Sequence, residues 1–115
     1  MARILLVEDM PEIRRMLRSR LQNDHEIVGE LTDGYDAVSA VEEKQPDVVI
    51  MDFKMPTVSG VEATRQITDR FPDVVVAAYT SSGHHVRDRM LGAGAAAVFA
   101  KEDLTALVAF VDSLK

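Results

Sequence analysis

Short apolar blocks alternate along the chain with longer stretches in which apolar residues recur every three or four positions. Four blocks are continuously apolar: Ile4-Leu5-Leu6-Val7, Val48-Val49-Ile50-Met51, Val74-Val75-Val76-Ala77-Ala78 and Ala97-Val98-Phe99-Ala100. A strand reads this way when both its faces are buried, as in a parallel sheet covered by helices. A fifth segment, Glu26-Ile27-Val28-Gly29-Glu30-Leu31, is broken by charges and a glycine, which suits a sheet edge. Helical spacing links Ile13, Met16, Leu17 and Leu21, and again Leu104, Leu107, Val108, Val111 and Leu114. Ala37, Val38 and Val41 mark a helix that should stop before Pro46, and Val61, Thr64, Ile67 and Phe71 one that should stop before Pro72. Val86, Met90 and the Gly92 and Gly94 pair suggest a shorter, weaker helix.

The order is strand then helix, five times over. It predicts an α/β domain spanning residues 1–115, a five-stranded parallel sheet with helices on both faces. Right-handed crossovers leave few topologies, and the flavodoxin-like (βα)5 order 2-1-3-4-5 leads among them.

Composition narrows the function classes. Hydrophobic residues are 47% of the 115, enough for a continuous core, and the formal net charge of -6 argues against direct nucleic-acid binding. Arg14, Arg15, Arg18 and Arg20 do cluster, and read as a solvated helix face. With no cysteine there is no disulfide or thiolate chemistry. The apolar block after Met1-Ala2-Arg3 is too short for a signal peptide or membrane span, so a cytoplasmic location with no membrane contact is expected.

In open α/β sheets, ligands bind beyond the carboxyl ends of the strands at the topological switch point. Here the first strand runs into Glu8-Asp9, the third into Asp52, the fourth into Thr80 and the fifth into Lys101. Each residue alone has a plainer reading. Asp9 could cap a helix that begins near Pro11, Asp52 could be the polar end of a strand, Thr80 a turn residue and Lys101 a surface lysine. Their shared place at one end of successive strands favours a site. Three adjacent carboxylates repel by about 4 kcal/mol per pair at ~4 Å and an effective dielectric near 20, so they call for a cation. Oxygen-only ligands suit magnesium. With a lysine and a hydroxyl beside them, the set has the parts of a phosphoryl-transfer centre.

Over essentially its full length the chain resembles response-regulator receiver domains. The resemblance rests on Ile4-Leu5-Leu6-Val7-Glu8-Asp9, Asp33-Gly34-Tyr35-Asp36-Ala37, Asp52-Phe53-Lys54-Met55-Pro56 with Gly60, Thr80-Ser81, Gly92-Ala93-Gly94-Ala95 and Lys101. It implies that Asp52 is the phosphoacceptor and that Mg2+ is held by Asp9, Asp52 and the backbone carbonyl of Lys54, with Glu8 acting through water. It implies that Thr80 and Lys101 contact the phosphoryl group, and that Gly60 lets the loop turn into the third helix. The implied donor is a phosphohistidine on a sensor histidine kinase or histidine phosphotransfer protein, docked beside Met10, Pro11, Arg14 and Arg15. Homodimerisation on phosphorylation and an output face of fourth helix, fifth strand and fifth helix also follow. The domain itself is then a regulatory phosphoacceptor and not an enzyme in the ordinary sense.

Three positions depart from the family pattern. Val98 stands where many receivers carry an aromatic switch residue, and the neighbouring Phe99 should face the other way. Glu102 follows the lysine where proline is common, as in many receivers joined to helix-turn-helix output domains. Lys54 puts a cation two residues after the acceptor. Two other functions compete. One is a receiver-like interaction module that works without phosphate. The other is a small magnesium phosphatase of the haloacid dehalogenase class, which wants a second aspartate where Lys54 stands. His84-His85 read as surface residues, and His25 has no evident partner.

Overall fold

Successive side chains on a strand point to opposite faces, so a continuously apolar strand needs apolar cover on both sides. The computed structural model, which describes residues 1–81 and 83–114 and leaves the His84 side chain outside that description, provides such cover. In chain order it contains β1 (Arg3–Val7), α1 (Pro11–Leu21), β2 (Glu26–Leu31), a 3-10 turn (Gly34–Asp36), α2 (Ala37–Lys44), β3 (Val48–Met51), α3 (Gly60–Arg70), β4 (Val75–Thr80), α4 (His84–Gly92), β5 (Ala97–Ala100) and α5 (Leu104–Leu114). All neighbouring strands are parallel, in the order β2-β1-β3-β4-β5. This is the flavodoxin-like order that the alternation predicts.

Leu5, Val7, Val49, Met51, Val76 and Ala78 face one layer, packed with Ala37 and Val41 of α2, Val61 and Ile67 of α3, and Val86 and Met90 of α4. Ile4, Leu6, Val48, Ile50, Ala77 and Tyr79 face the other, packed with Leu17 and Leu21 of α1 and Leu107 and Val111 of α5. The two layers explain why hydrophobicity runs unbroken along β1 and β3.

Several local expectations need correction. The block Ala97–Ala100 does not have two buried faces: its first three residues are half-buried and Ala100 is exposed. β5 lies at a sheet edge, with no strand beyond it to complete the cover. β4 begins at Val75, one residue later than its apolar block, but it ends at Thr80 as expected, and ladder pairing to Phe99 and Ala100 holds Tyr79 and Thr80 whatever their polarity. Phe71 caps α3 instead of belonging to it, since Pro72 disfavours the helical conformation of the residue before it. Asp9 is not the cap of α1. That position is Met10, which makes no side-chain capping bond, and Pro11 opens the helix.

His25 has the partners that the sequence hides. It is 6% exposed, its Nδ1 accepts from the Ala2 N–H at 3.0 Å, and its Nε2 lies 2.7 Å from Asp112 Oδ1 on α5. The imidazole ties the start of β1 to the end of α5, on the side of the sheet away from the carboxyl strand ends. No described helix is long and apolar enough to cross a membrane.

Candidate functional site

Parallel strands in matched register end together. Val7 pairs with Met51, Met51 with Ala78, and Thr80 with Ala100. The residues just past β1, β3 and β5 therefore reach one cleft of about 540 Å³, whose lining includes Asp9, Asp52, Lys54, Thr80, Ser81 and Lys101. Glu8 lies behind this lining, almost wholly buried, and Asp52 and Thr80 are also buried. Glu8, Asp9 and Asp52 each bring one carboxylate oxygen within 4.8 Å of the others. Lys101 Nζ lies 3.0 Å from Glu8 Oε1 and 3.4 Å from Asp52 Oδ2, so one ammonium is shared between two of the three carboxylates. The side chain of Lys54 is exposed at the cleft.

Burial dominates the electrostatics of the buried pair. It pushes the Glu8 carboxyl up to about 7, helped by the Asp52 charge and opposed by Lys101 and the Met10 N–H. Burial likewise raises Asp52, against Lys101 and the Phe53 N–H, which donates to Asp52 Oδ1 at 2.8 Å. A carboxyl whose folded pKa is raised binds its proton more tightly in the folded state, so it adds stability as pH falls through that value. The metal-free protein, unfolded by urea in the presence of chelator, should be about 1 kcal/mol more stable at pH 6 than at pH 8 from this group alone. Glu8→Gln should remove most of that difference. An equal pH trend in the variant would mean that the origin lies elsewhere.

The loop after β3 is held from three sides. The Gly60 N–H donates to the Phe53 carbonyl at 2.7 Å. Ser59 caps α3 by accepting from the Glu62 N–H at 3.2 Å. Asp33 accepts from the N–H groups of Thr57 at 2.6 Å, Val58 at 3.0 Å and Tyr35 at 2.8 Å. Burial alone would raise the Asp33 carboxyl, but the backbone donors of Thr57, Val58, Tyr35 and Gly34 outweigh it and hold the group below the usual aspartate range. The Asp33-Gly34 motif is visible in the sequence. Its bonds to residues more than twenty positions away are not.

The site also contains connections that residue patterns missed. Phe53 is bonded to Asp52 through its N–H, and its ring lies under the Arg89 guanidinium of α4 at 5.3 Å. Val98 packs with the layer beneath α2, α3 and α4, while Phe99 packs beneath α1 and α5, its ring 5.4 Å from Phe110. The opposite orientation expected of these neighbours is what the structure has. Arg14 is not a free docking residue. It donates to the Glu8 carbonyl at 2.9 Å and lies 3.5 Å from Glu30, which also pairs with Arg18 at 2.6 Å. Met10, Pro11 and Arg15 remain exposed beside the cleft. His85 is exposed, and the expectation for the His84 side chain falls outside the described residues.

Comparison with known proteins bears on the family and the fold. The model of the family described as response regulator receiver domain matches residues 4–112. A protein-glutamate methylesterase/protein-glutamine glutaminase from Hahella chejuensis is 34% identical over 102 residues, which are 85% of this chain and 29% of that protein. The transcriptional regulatory protein YhcZ of Bacillus subtilis is 34% identical over 98 residues, 81% of this chain and 46% of that one. The chain thus spans less than half the length of these relatives. The crystal structure of the response regulator protein TrrA from Thermotoga maritima, in complex with Mg2+-BeF, superposes with a TM-score of 0.89 at 31% identity, covering 100% of both chains.

Proposed function

The chain belongs to the response regulator receiver domain family, and from that premise we propose that it is a two-component switch that accepts a phosphoryl group on Asp52. The observation that carries this reading is the placement of a buried carboxylate, Asp52, with Lys101 Nζ at 3.4 Å and two further carboxylates beside it, in an open cleft. The donor set fits magnesium: oxygen ligands, several of them carboxylate, with room for retained water. Glu8, Asp9, Asp52 and the backbone carbonyl of Lys54 would hold it. When bound, the ion supplies the positive charge that offsets the crowded carboxylates and the approaching phosphoryl oxygens.

The chain's own groups supply the rest. An Asp52 oxygen attacks phosphorus, and the electron pair of the breaking P–N bond leaves with the donor imidazole. The Lys101 ammonium pairs with a phosphoryl oxygen, and the Thr80 hydroxyl donates to another. The new group carries a charge of about -2 and draws both residues toward it. Phe53, bonded to Asp52 and packed under Arg89, offers a route from the site to α4 that does not need an aromatic at Val98. The face formed by α4, β5 and α5 is where the change is read, by an output element or by a second copy.

The donor is a phosphohistidine on a sensor kinase or phosphotransfer protein, approaching over Met10, Pro11 and Arg15. A phosphate-independent interaction module finds no particular support in the geometry, because a buried carboxylate cluster is costly to retain without a cation or phosphoryl group to neutralise it. The test is incubation of the native chain with a small acyl-phosphate donor, read by intact mass. One phosphoryl group should be added with magnesium and none with chelator. Labelling indifferent to the metal would end this reading.

A further inference from the structure

Thr80 and Tyr79 are neighbours on β4 and so point to opposite faces. Thr80 meets the cleft, while Tyr79 is buried beneath α1 and α5 among Leu6, Ile50 and Leu107. A phenylalanine would fill this apolar layer equally well, so the buried hydroxyl needs a bond that justifies its desolvation. It has one: Tyr79 Oη donates to the Lys101 carbonyl at 2.8 Å. The Lys101 N–H in turn donates to the Thr80 carbonyl at 3.2 Å. Consecutive residues of β4 thus grip Lys101 at both its backbone polar groups, one position beyond the end of β5. From that anchored backbone the ammonium reaches Glu8 at 3.0 Å and Asp52 at 3.4 Å.

We propose that Tyr79 is a positioning residue for phosphoryl transfer, whose hydroxyl fixes the Lys101 peptide and thereby holds the ammonium between Glu8 and Asp52. The inference rests on the reading of Asp52 as acceptor. Lysine is a flexible stem carrying a compact charge, so its aim depends on how firmly its base is held. A buried tyrosine is a suitable anchor, with two side-chain torsions already locked by packing. Burial, and then the charges of Glu8, Glu102 and Asp103, hold the phenol above its ordinary value, which keeps it protonated and a donor.

Tyr79→Phe keeps the ring and removes only the donor. With magnesium and a small acyl-phosphate donor, labelling of the otherwise native protein should slow about fivefold, the weight of one hydrogen bond. In a Lys101→Ala background the same substitution should change the already slower rate by less than about 1.5-fold, since the group being aimed is gone. A role confined to stability would slow both backgrounds equally, and that outcome overturns the proposal. A second arm needs no labelling: NMR relaxation at the Lys101 Cε should report a more mobile side chain in Tyr79→Phe than in the native protein. Unchanged mobility also overturns the proposal. Should the native protein take no label at all, the assignment of Asp52 fails, and the relaxation arm still decides whether Tyr79 aims Lys101.

Discussion

Asp52→Asn is expected to lose more than about a hundredfold of the magnesium-dependent labelling while melting at a higher temperature than the native protein. A carboxamide has no ionised oxygen to attack phosphorus, so the chemical loss follows directly. The stability change follows from the electrostatics of the metal-free site. Burial raises the pKa of both Asp52 and Glu8, and one ammonium serves the two. Asparagine removes one of these charges, keeps an oxygen to accept the Phe53 N–H, and leaves Lys101 to Glu8. The melting temperature should rise by roughly 3–5 °C, measured with chelator at pH 8. The two readouts together separate a chemical role from a folding defect. Persistent labelling of the variant would remove Asp52 as acceptor, and a drop of several degrees would contradict the account of a crowded, desolvated carboxylate.

Gly60→Ala should be the most destabilising small substitution in the site. A Cβ at this position would collide with the Asp52 carbonyl oxygen and lie 2.8 Å from the Asp52 carbonyl carbon and 2.9 Å from Phe53 Cα. All three are backbone atoms of the Asp52-Phe53 segment, and none can rotate away. Relief requires moving the start of α3 off the β3 end, which breaks the Gly60 N–H bond to the Phe53 carbonyl. We expect a loss of more than about 3 kcal/mol in urea unfolding, together with slower labelling because Asp52 moves. Gly92→Ala provides the contrast. Nothing lies within 4 Å of a Cβ there, and the residue ends α4. It should be neutral or stabilising by up to about 1 kcal/mol. Similar effects at the two glycines would show that the close approach at Gly60 is not what matters.

Periodicity made the architecture legible. Unbroken apolar runs at β1 and β3 require two covering layers, and both layers are present. The prolines at 46 and 72 mark helix ends through local sterics alone. β4 outruns its apolar block to the expected end at Thr80, where Tyr79 and Thr80 are held by pairing with β5 and not by hydropathy. The candidate site was legible for a related reason. In a parallel sheet the residue after each strand goes to the same edge, so Glu8, Asp9, Asp52 and Lys101 could be grouped from their places in the order.

What the sequence by itself determined, then, is what depends on local rules repeated along the chain: which residues form strands and helices, which face is apolar, and which polar residues sit at strand ends. What only the tertiary structure decided is where individual side chains meet across long separations. Lys101 reaches Glu8 across 93 positions, His25 meets Asp112 across 87, and Asp33 pins Thr57 across 24. Arg14 turns inward to the Glu8 carbonyl, and Tyr79 spends its buried hydroxyl on Lys101. No periodicity encodes these pairings. They depend on rotamers, strand register and the few ångströms by which elements approach, and those are settled only when the whole core packs at once.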